Sequence, residues 1–220
     1  MRANKDRARC FVAWVLCVAC AGSWAQSPTT GRYEFDSDAS SVYWRVYKAG
    51  TFARFGHNHV VSVPSPRGTI FVDSDPAKSR FEFEFAVEDL IIDDPELRAR
   101  YGEAFASVPS AEDIAGTRSN MLGDRVLDAE HFATVRVRGS DLTDFGDGQT
   151  IAIEIELLGR RIAATVPIDV HLRDGTIDAA GEFRLSHSDL GMMPFSVMLG
   201  ALAVGEDLDF SFSIHAVRTD

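Results

Sequence analysis

Apolar and polar residues alternate along most of the C-terminal half of the chain. Between Thr150 and Ala216, four successive segments have an apolar residue at every second position. These positions are Ile151, Ile153, Ile155 and Leu157; Ile162, Ala164, Val166, Ile168 and Val170; Ile177, Ala179, Gly181, Phe183 and Leu185; and Leu208, Phe210, Phe212, Ile214 and Ala216. Because successive side chains of a strand point to opposite faces, each segment predicts a strand with one dry face. Gly159 and Gly175 lie between segments and suit tight antiparallel turns, so the pattern predicts a β-meander.

The N-terminal half predicts shorter strands. Runs rich in aromatic and β-branched residues cover positions 33–36, 42–47, 59–63 and 68–72, a composition typical of strands. The clearest amphipathic strand of this half has Phe81, Phe83 and Phe85 on one face and Glu82 and Glu84 on the other.

About thirty residues of helix and loop are predicted to interrupt the strands. Asp94 followed by Pro95 is typical of a helix start, with a capping side chain and then proline at the first helical position. An apolar stripe at four-residue spacing follows, as expected for one helix. The stripe consists of Leu97, Tyr101 and Phe105. A second helical segment is predicted near residues 114–122, before strand character resumes at 134–138.

These elements predict an all-β fold with a short helical insertion. Eight or nine strands in antiparallel order favour a single closed β-barrel of about eight strands, and a β-sandwich is the structural alternative. Eight strands close around a space that side chains fill or that one small ligand occupies. We find no linker or internal repeat, so residues 26–220 are predicted to form one domain.

Residues 1–25 have the pattern of a secretory signal peptide. Four basic residues precede an apolar run from Cys10 to Gly22, and the small residues Ser23 and Ala25 precede a cleavage point, as in exported proteins. The run is shorter than the ~20 residues that span a bilayer core. We therefore expect cleavage near Ala25, a periplasmic or secreted protein and no integral membrane span.

All three cysteines lie inside this segment, so the mature chain would contain none. They are Cys10, Cys17 and Cys20. Acylation of Cys20, as in a lipoprotein, is the alternative to cleavage after Ala25. An exported domain without disulfides depends on its core for stability, and this chain is long enough to form one.

The mature chain is strongly acidic. Residues 1–25 carry four basic residues and one acid, a net of +3, so the formal charge of −11 becomes −14 after their removal. Such a surface repels phosphate backbones and anionic headgroups, which argues against nucleic-acid binding and electrostatic docking to membranes. It does not exclude an uncharged apolar ligand.

The chain contains, in order, the stretches Tyr33–Asp36 with Ser41–Val46, Gly56–Val61, Leu127–Val135, Ile155–Ile168 and Phe183–Gly191. Together and in this order they resemble the YceI-like family of exported lipid-binding proteins. Within them, Ala133 stands where the family usually has proline, His187 where it has arginine, and Leu190 where it has an aromatic residue. The resemblance covers nearly all of the mature chain.

The resemblance implies an extended, lipocalin-like barrel that encloses a long polyisoprenoid, or a related quinone-like lipid, and carries or stores it without catalysis. Such a ligand needs a long dry cavity, because its transfer free energy comes from apolar area. The residues expected to line the cavity are Phe81, Phe83, Phe85, Ile153, Ile155, Val166, Ile168, Phe183, Leu185, Phe210 and Phe212. From the pattern alone, the same residues can equally form a solid core.

No cofactor other than the lipid is expected, and no serine lies in a nucleophile elbow. The candidate partners are the lipid itself, a membrane donor or acceptor protein, and a second copy of the chain in a homodimer. His187, near the end of the last matching stretch, is a candidate for contact with a polar headgroup or for the barrel rim.

His57 and His59 supply the remaining candidate chemistry. On a strand, both imidazoles lie on one face, where they can share a metal ion, bind a polar headgroup or form a structural pair at the rim. A metal ion needs further ligands, for which His131, Asp36 and Asp38 are candidates. The alternative function is therefore a metal- or haem-linked redox accessory protein of the periplasm that uses His57 and His59.

Overall fold

The computed structural model describes residues 30–219. The predicted signal peptide, with its three cysteines and the Ala25 cleavage point, lies outside the described residues. No helix within residues 30–219 is long and apolar enough to cross a membrane.

Within the described range the chain forms twelve strands and two α-helices. The strands are β1 (Gly31–Phe35), β2 (Ser41–Ala49), β3 (His59–Val63), β4 (Arg67–Val72), β5 (Arg80–Ala86), β6 (Ile91–Ile92), β7 (Thr134–Ser140), β8 (Gly146–Leu157), β9 (Arg160–Arg173), β10 (Thr176–Ser186), β11 (Ser196–Val197) and β12 (Leu202–Arg218). The helices are α1 (Pro95–Ala99) and α2 (Ala111–Leu122). Short 3-10 turns cover Ala53–Phe55, Pro76–Lys78, Val87–Asp89, Gly102–Phe105 and Met198–Gly200.

Eight antiparallel strands close into a barrel. The order around it is β1, β4, β5, β7, β8, β9, β10 and β12, and β12 returns to β1 through the pair Phe35–Ala216. β2 continues β1 along the same edge of β12 and pairs with β3, which carries β6. Closure gives every barrel strand two neighbours, so the barrel itself has no open edge. The predicted antiparallel barrel is confirmed, and the sandwich alternative is wrong.

The predicted meander is β8, β9, β10 and β12. Its strands pair in register, for example Ile153 with Ala164 and Phe183 with Phe210. Gly159 and Gly175 form the tight turns with positive φ angles of 69° and 82°, which glycine adopts without steric cost. The alternate apolar residues of β8, from Ile151 to Leu157, are buried as the pattern predicted.

The first part of the insertion between β6 and β7 packs against the outside of the barrel. Asp94 caps α1 by accepting a hydrogen bond from the backbone N–H of Leu97 at 2.9 Å. The helix is shorter than predicted: it ends at Ala99, and Gly102, at a φ of +59°, begins a 3-10 turn. The three residues of the predicted stripe nevertheless pack together. They are part of a second apolar cluster that contains Val60, Leu97 and Phe105 with Tyr43, Tyr47 and Tyr101.

Arg98 of α1 ties the insertion to the barrel. Its buried guanidinium donates hydrogen bonds to the carboxylate of Asp93 at 2.5 Å and to the carbonyl of Asn58 at 2.6 Å. It also donates to the carbonyls of Phe105 at 3.0 Å and Ser107 at 2.6 Å. One side chain therefore joins the residue before β3, the link after β6 and the segment that follows α1.

Asp93 is the anion at the centre of this arrangement. Its fully buried side chain also accepts hydrogen bonds from the ring Nδ1 of His59 at 2.7 Å and the backbone N–H of Val60 at 3.0 Å. Burial alone raises the pKa of Asp93, but His59, the Val60 N–H and Arg98 outweigh it and hold that pKa below its ordinary value. The carboxylate therefore stays ionised inside the protein.

We predict that Asp93→Asn lowers the free energy of unfolding by about 3–5 kcal/mol at neutral pH, because it leaves the buried Arg98 without its anion. Because the folded-state pKa is depressed, this stabilisation is complete above the ordinary carboxyl pKa and is lost as pH falls through the folded-state value. The variant should therefore show a weaker loss of stability in acid. Urea unfolding between neutral pH and about pH 3 measures both effects.

Lys78→Ala provides the control, because Lys78 pairs with Asp75 at 3.1 Å on the exposed surface. Its loss should change the free energy of unfolding by about 1 kcal/mol or less. Equal effects of the two substitutions would contradict a central role for Asp93.

Candidate functional site

The barrel encloses a cavity of about 670 Å³. This volume lies within the range of roughly 300–1,000 Å³ that is usual for small-molecule sites. Side chains from the inner faces of β5, β8, β9, β10 and β12 form most of its wall, together with residues of β2 and α2. Many of these residues also belong to the buried core, so the cavity lies inside the core of the barrel.

Ten of the eleven residues predicted to line a cavity do line it. They are Phe81, Phe83, Phe85, Ile153, Ile155, Val166, Ile168, Phe183, Phe210 and Phe212. Leu185 is the exception: it lies on the same face of β10 but packs against the buried core, beside its strand partner Leu208. Contact of the ten residues with a ligand remains a prediction.

The two sides of the cavity differ in chemistry. β8 and β9 contribute aliphatic side chains, such as Ile153 and Val166. The other side is an arc of aromatic rings, with centroids 5.1 to 6.5 Å apart. In order, the arc consists of Phe183, Phe210, Trp44, Phe85, Phe83 and Phe35. Trp44 was missed as a lining residue, although its alternation with Val42 and Val46 in β2 was a usable signal.

Glycines opposite phenylalanines keep part of the lumen open. A Cβ atom at Gly139 would overlap the ring of Phe81, its partner across β5 and β7. At Gly181 a Cβ atom would lie 2.7 Å from the ring of Phe212, the cross-strand neighbour on β12. These rings therefore lie against the bare backbone of the neighbouring strand instead of projecting into the lumen.

The polar residues of the cavity gather at one end of the barrel, which we call the helical end. It is formed by the loop 50–58, the insertion 93–133 and the loop 187–201, which join strand ends on the same side of the barrel. His57, His59 and His187, the three predicted polar residues, all line the cavity here. Lys48, and Asp113, Thr117 and Asn120 of α2, also line it. The sequence did not predict that α2 covers the cavity.

His57 and His59 lie side by side, with ring centroids 6.3 Å apart. His59 is held by Asp93, whereas Nδ1 of His57 lies 3.3 Å from the Ser107 hydroxyl and its Nε2 lies 3.8 Å from a carboxylate oxygen of Asp113. Both rings therefore have defined orientations at the cavity wall.

The additional metal ligands considered from the sequence are not brought to this histidine pair. His131 pairs with Asp128 at 2.8 Å, and Asp36 accepts backbone hydrogen bonds from Asp38 and Ala39 in the bend between β1 and β2. Among residues 30–219, no group of three or more His, Cys, Asp or Glu side chains is arranged to hold a metal ion. The geometry therefore gives the metal hypothesis no third ligand in this part of the chain.

His187 is buried more deeply than a rim residue. It follows β10 directly and is only 5% exposed. Its Nδ1 lies 2.9 Å from the carbonyl oxygen of Glu206 on β12. The ring is therefore fixed to the barrel wall while it lines the cavity.

Exposed apolar side chains surround the helical end. This apolar lip comprises Phe52, Phe55, Met193, Met198 and Leu199. A backbone hydrogen bond of 2.7 Å from Phe52 to Ala201 joins the two loops that carry these residues. Residues 190–205 include no charged side chain, although a quarter of the chain is charged.

Comparisons with known proteins agree with this geometry. The family model of the YceI-like domain matches residues 33–216. The crystal structure of Burkholderia cenocepacia BcnA superposes with a TM-score of 0.60 at 13% identity, covering 83% of this chain and 99% of BcnA. A polyisoprenoid binding domain from Saccharophagus degradans, described as implicated in plant cell wall breakdown, gives a TM-score of 0.54 at 10% identity, covering 87% and 100% of the respective chains.

No curated protein matches the chain in sequence. At these identities the two structural neighbours establish the fold alone. The family assignment rests on the match that extends over most of the chain, and it confirms the resemblance found in the sequence. The protein belongs to the YceI-like family.

Proposed function

We propose that the protein binds one long apolar lipid of the isoprenoid type inside the barrel and carries or stores it without chemical change. The observation that supports this most directly is a cavity of about 670 Å³ whose walls are aliphatic and aromatic and whose polar side chains gather at one end. An amphipathic lipid with a long apolar tail and a small polar head matches this separation of apolar walls from a polar end. No other cofactor is needed for this role.

The physical chemistry of the cavity favours a long chain. Burial of apolar surface contributes about 0.8 kcal/mol for each methylene group removed from water. Ordering a flexible chain offsets part of this gain. Affinity should therefore rise with each isoprene unit until the tail fills the space between the aromatic arc and the aliphatic side.

The shared fold supports the isoprenoid class. The Saccharophagus degradans neighbour is named a polyisoprenoid binding domain, and a quinone-like lipid with an isoprenoid tail has the same apolar requirement. The proposed site of action is the periplasm or the exterior of the cell. The signal-peptide pattern of residues 1–25 supports export.

The apolar lip supports a role in exchange with membranes. Exposed apolar patches beside a ligand cavity are typical of membrane or protein contact sites. Met198 and Leu199 both adopt positive φ angles, of 51° and 56°, a conformation that costs roughly 1–3 kcal/mol for each such residue. We propose that this costly turn places uncharged side chains where the lipid enters from a bilayer surface or from a membrane donor protein.

The first prediction concerns the bound lipid. Organic extraction of the purified mature protein should yield close to one equivalent of an isoprenoid lipid by mass spectrometry. For delipidated protein, geraniol, farnesol and geranylgeraniol should bind with increasing affinity, measured by calorimetry. Recovery of no lipid, together with no affinity for any of these chains, would exclude the proposed function.

The second prediction concerns the width of the lumen. Gly139→Ala should push the ring of Phe81 into the cavity, lower the affinity for geranylgeraniol about tenfold and lower the free energy of unfolding by about 1–3 kcal/mol. Adding Phe81→Leu should restore most of both losses, because the smaller side chain relieves the overlap. If the double variant is as weak as Gly139→Ala, the pairing of glycine and ring does not control the cavity.

The third prediction concerns lipid transfer. Replacing Phe52 and Leu199 of the lip by Asp should slow transfer of a fluorescent polyprenol from phosphatidylcholine vesicles by about tenfold, since each buried apolar side chain contributes about 1.5–3 kcal/mol. The equilibrium affinity should not change, because neither residue lines the cavity.

Val217→Asp is the matched control for transfer. Val217 is also exposed, near the end of β12 that lies away from the helical end. The substitution adds a negative charge at a position outside the apolar lip. Equal slowing by Val217→Asp would show that net charge, and not the lip, governs transfer.

A further inference from the structure

His187 is a deeply buried polar side chain in the cavity wall. It is 5% exposed and lines the cavity at the helical end, near the apolar residues Leu190 and Met192, which also line it. Its position is fixed by the main chain. Its own backbone N–H donates to the Glu206 carbonyl at 2.9 Å, and its carbonyl accepts from the N–H of Met192 at 2.8 Å.

The hydrogen bond of the ring determines which nitrogen carries the proton. Nδ1 lies 2.9 Å from the carbonyl oxygen of Glu206, and a carbonyl oxygen can only accept. Nδ1 must therefore carry a hydrogen and donate it. In the neutral imidazole, this leaves a lone pair and no hydrogen on Nε2.

Nε2 of His187 has no hydrogen-bond partner among residues 30–219. Nε2 is not one of the sealed polar atoms of this part of the chain, so it is accessible from the cavity that His187 lines, and a ligand that brings a donor to it gains a hydrogen bond. A ligand that brings only another acceptor leaves both groups unsatisfied. The cavity wall therefore favours head groups that donate a hydrogen bond over head groups that can only accept one.

The other polar residues of the helical end include both hydrogen-bond acceptors and a hydrogen-bond donor. Nδ1 of His59 donates to the carboxylate of Asp93, and in the neutral tautomer this leaves Nε2 of that ring as an acceptor. Lys48, the cation of this group, already donates to the carbonyl of Gly56 at 3.0 Å. The carboxylate of Asp113 at the same end disfavours an anionic head group. A neutral hydroxyl group fits these surroundings.

We propose that Nε2 of His187 accepts a hydrogen bond from a hydroxyl group at the polar end of the bound lipid. The protein then selects isoprenoid alcohols or hydroquinones over the corresponding ethers, hydrocarbons and quinones. This inference rests on the proposed lipid-binding function and adds the chemical class of the head group.

The test compares ligands that differ only in the donor. Geranylgeraniol should bind the delipidated protein about tenfold more tightly than its methyl ether, which has the same tail and no O–H group. Decylubiquinol should likewise bind more tightly than decylubiquinone under anaerobic conditions. Comparing the alcohol and hydroquinone pairs shows which source of the hydroxyl the site prefers. Calorimetry measures all four affinities.

His187→Leu should abolish these preferences, so that the alcohol and its ether bind equally. His171→Leu is the matched control, because His171 lies on the outer surface and pairs with Asp147 at 2.9 Å. It should keep the preference of the native protein. The ¹⁵N chemical shift of His187 Nε2 gives a second measurement that needs no variant: it should move on addition of the alcohol and not of the ether.

Equal affinity of the native protein for alcohol and ether, or an unchanged Nε2 resonance with the alcohol bound, would overturn the assignment to His187. The lipid-binding function would then still stand, since both tails bind. If neither the alcohol nor the ether binds, the proposed function fails together with the inference.

Discussion

The space inside an eight-stranded barrel is only wide enough for side chains or for one small ligand, so the site in this protein depends on where its inner rings lie. Phe81 and Phe212 can lie against neighbouring strands because Gly139 and Gly181 present no Cβ atom to them. With larger residues at the glycine positions, the rings would have to project into the lumen and fill it. The cavity is therefore a consequence of paired residue sizes on adjacent strands, and the aliphatic side chains of β8 and β9 complete its wall.

Much of the fold could be predicted because one physical constraint acts on every strand. A dry lumen requires an apolar residue at every second position of each strand, and this alternation is visible from Ile151 to Ala216 and from Phe81 to Phe85. The end of α1 was not predictable from the same information. Leu97 and Phe105 meet in one apolar cluster whether the backbone between them is α-helical or passes through a 3-10 turn, so their spacing alone does not distinguish the two.

The site was less predictable than the fold. Inner-facing residues follow from the alternation, but whether they surround a space depends on how side chains far apart in sequence pack together. Leu185 and Phe183 have the same parity on β10, yet only Phe183 lines the cavity. Likewise, the sequence placed His57 and His59 together, but it did not show that Asp93 and Arg98 hold His59 in the cavity wall.

The polar end shows how a few fixed hydrogen bonds can determine the properties of an otherwise apolar site. The Asp93 carboxylate and the Glu206 carbonyl each accept a hydrogen bond from Nδ1 of a cavity-lining histidine. These two acceptors can influence a ligand without contacting it, because each determines the tautomer of a histidine ring that lines the cavity. The resemblance found in the sequence places an arginine at position 187, and an arginine can only donate hydrogen bonds. Under the proposed role of His187, histidine at this position reverses the direction of the hydrogen bond that the wall offers, so a single side chain would change the head-group preference of the same barrel.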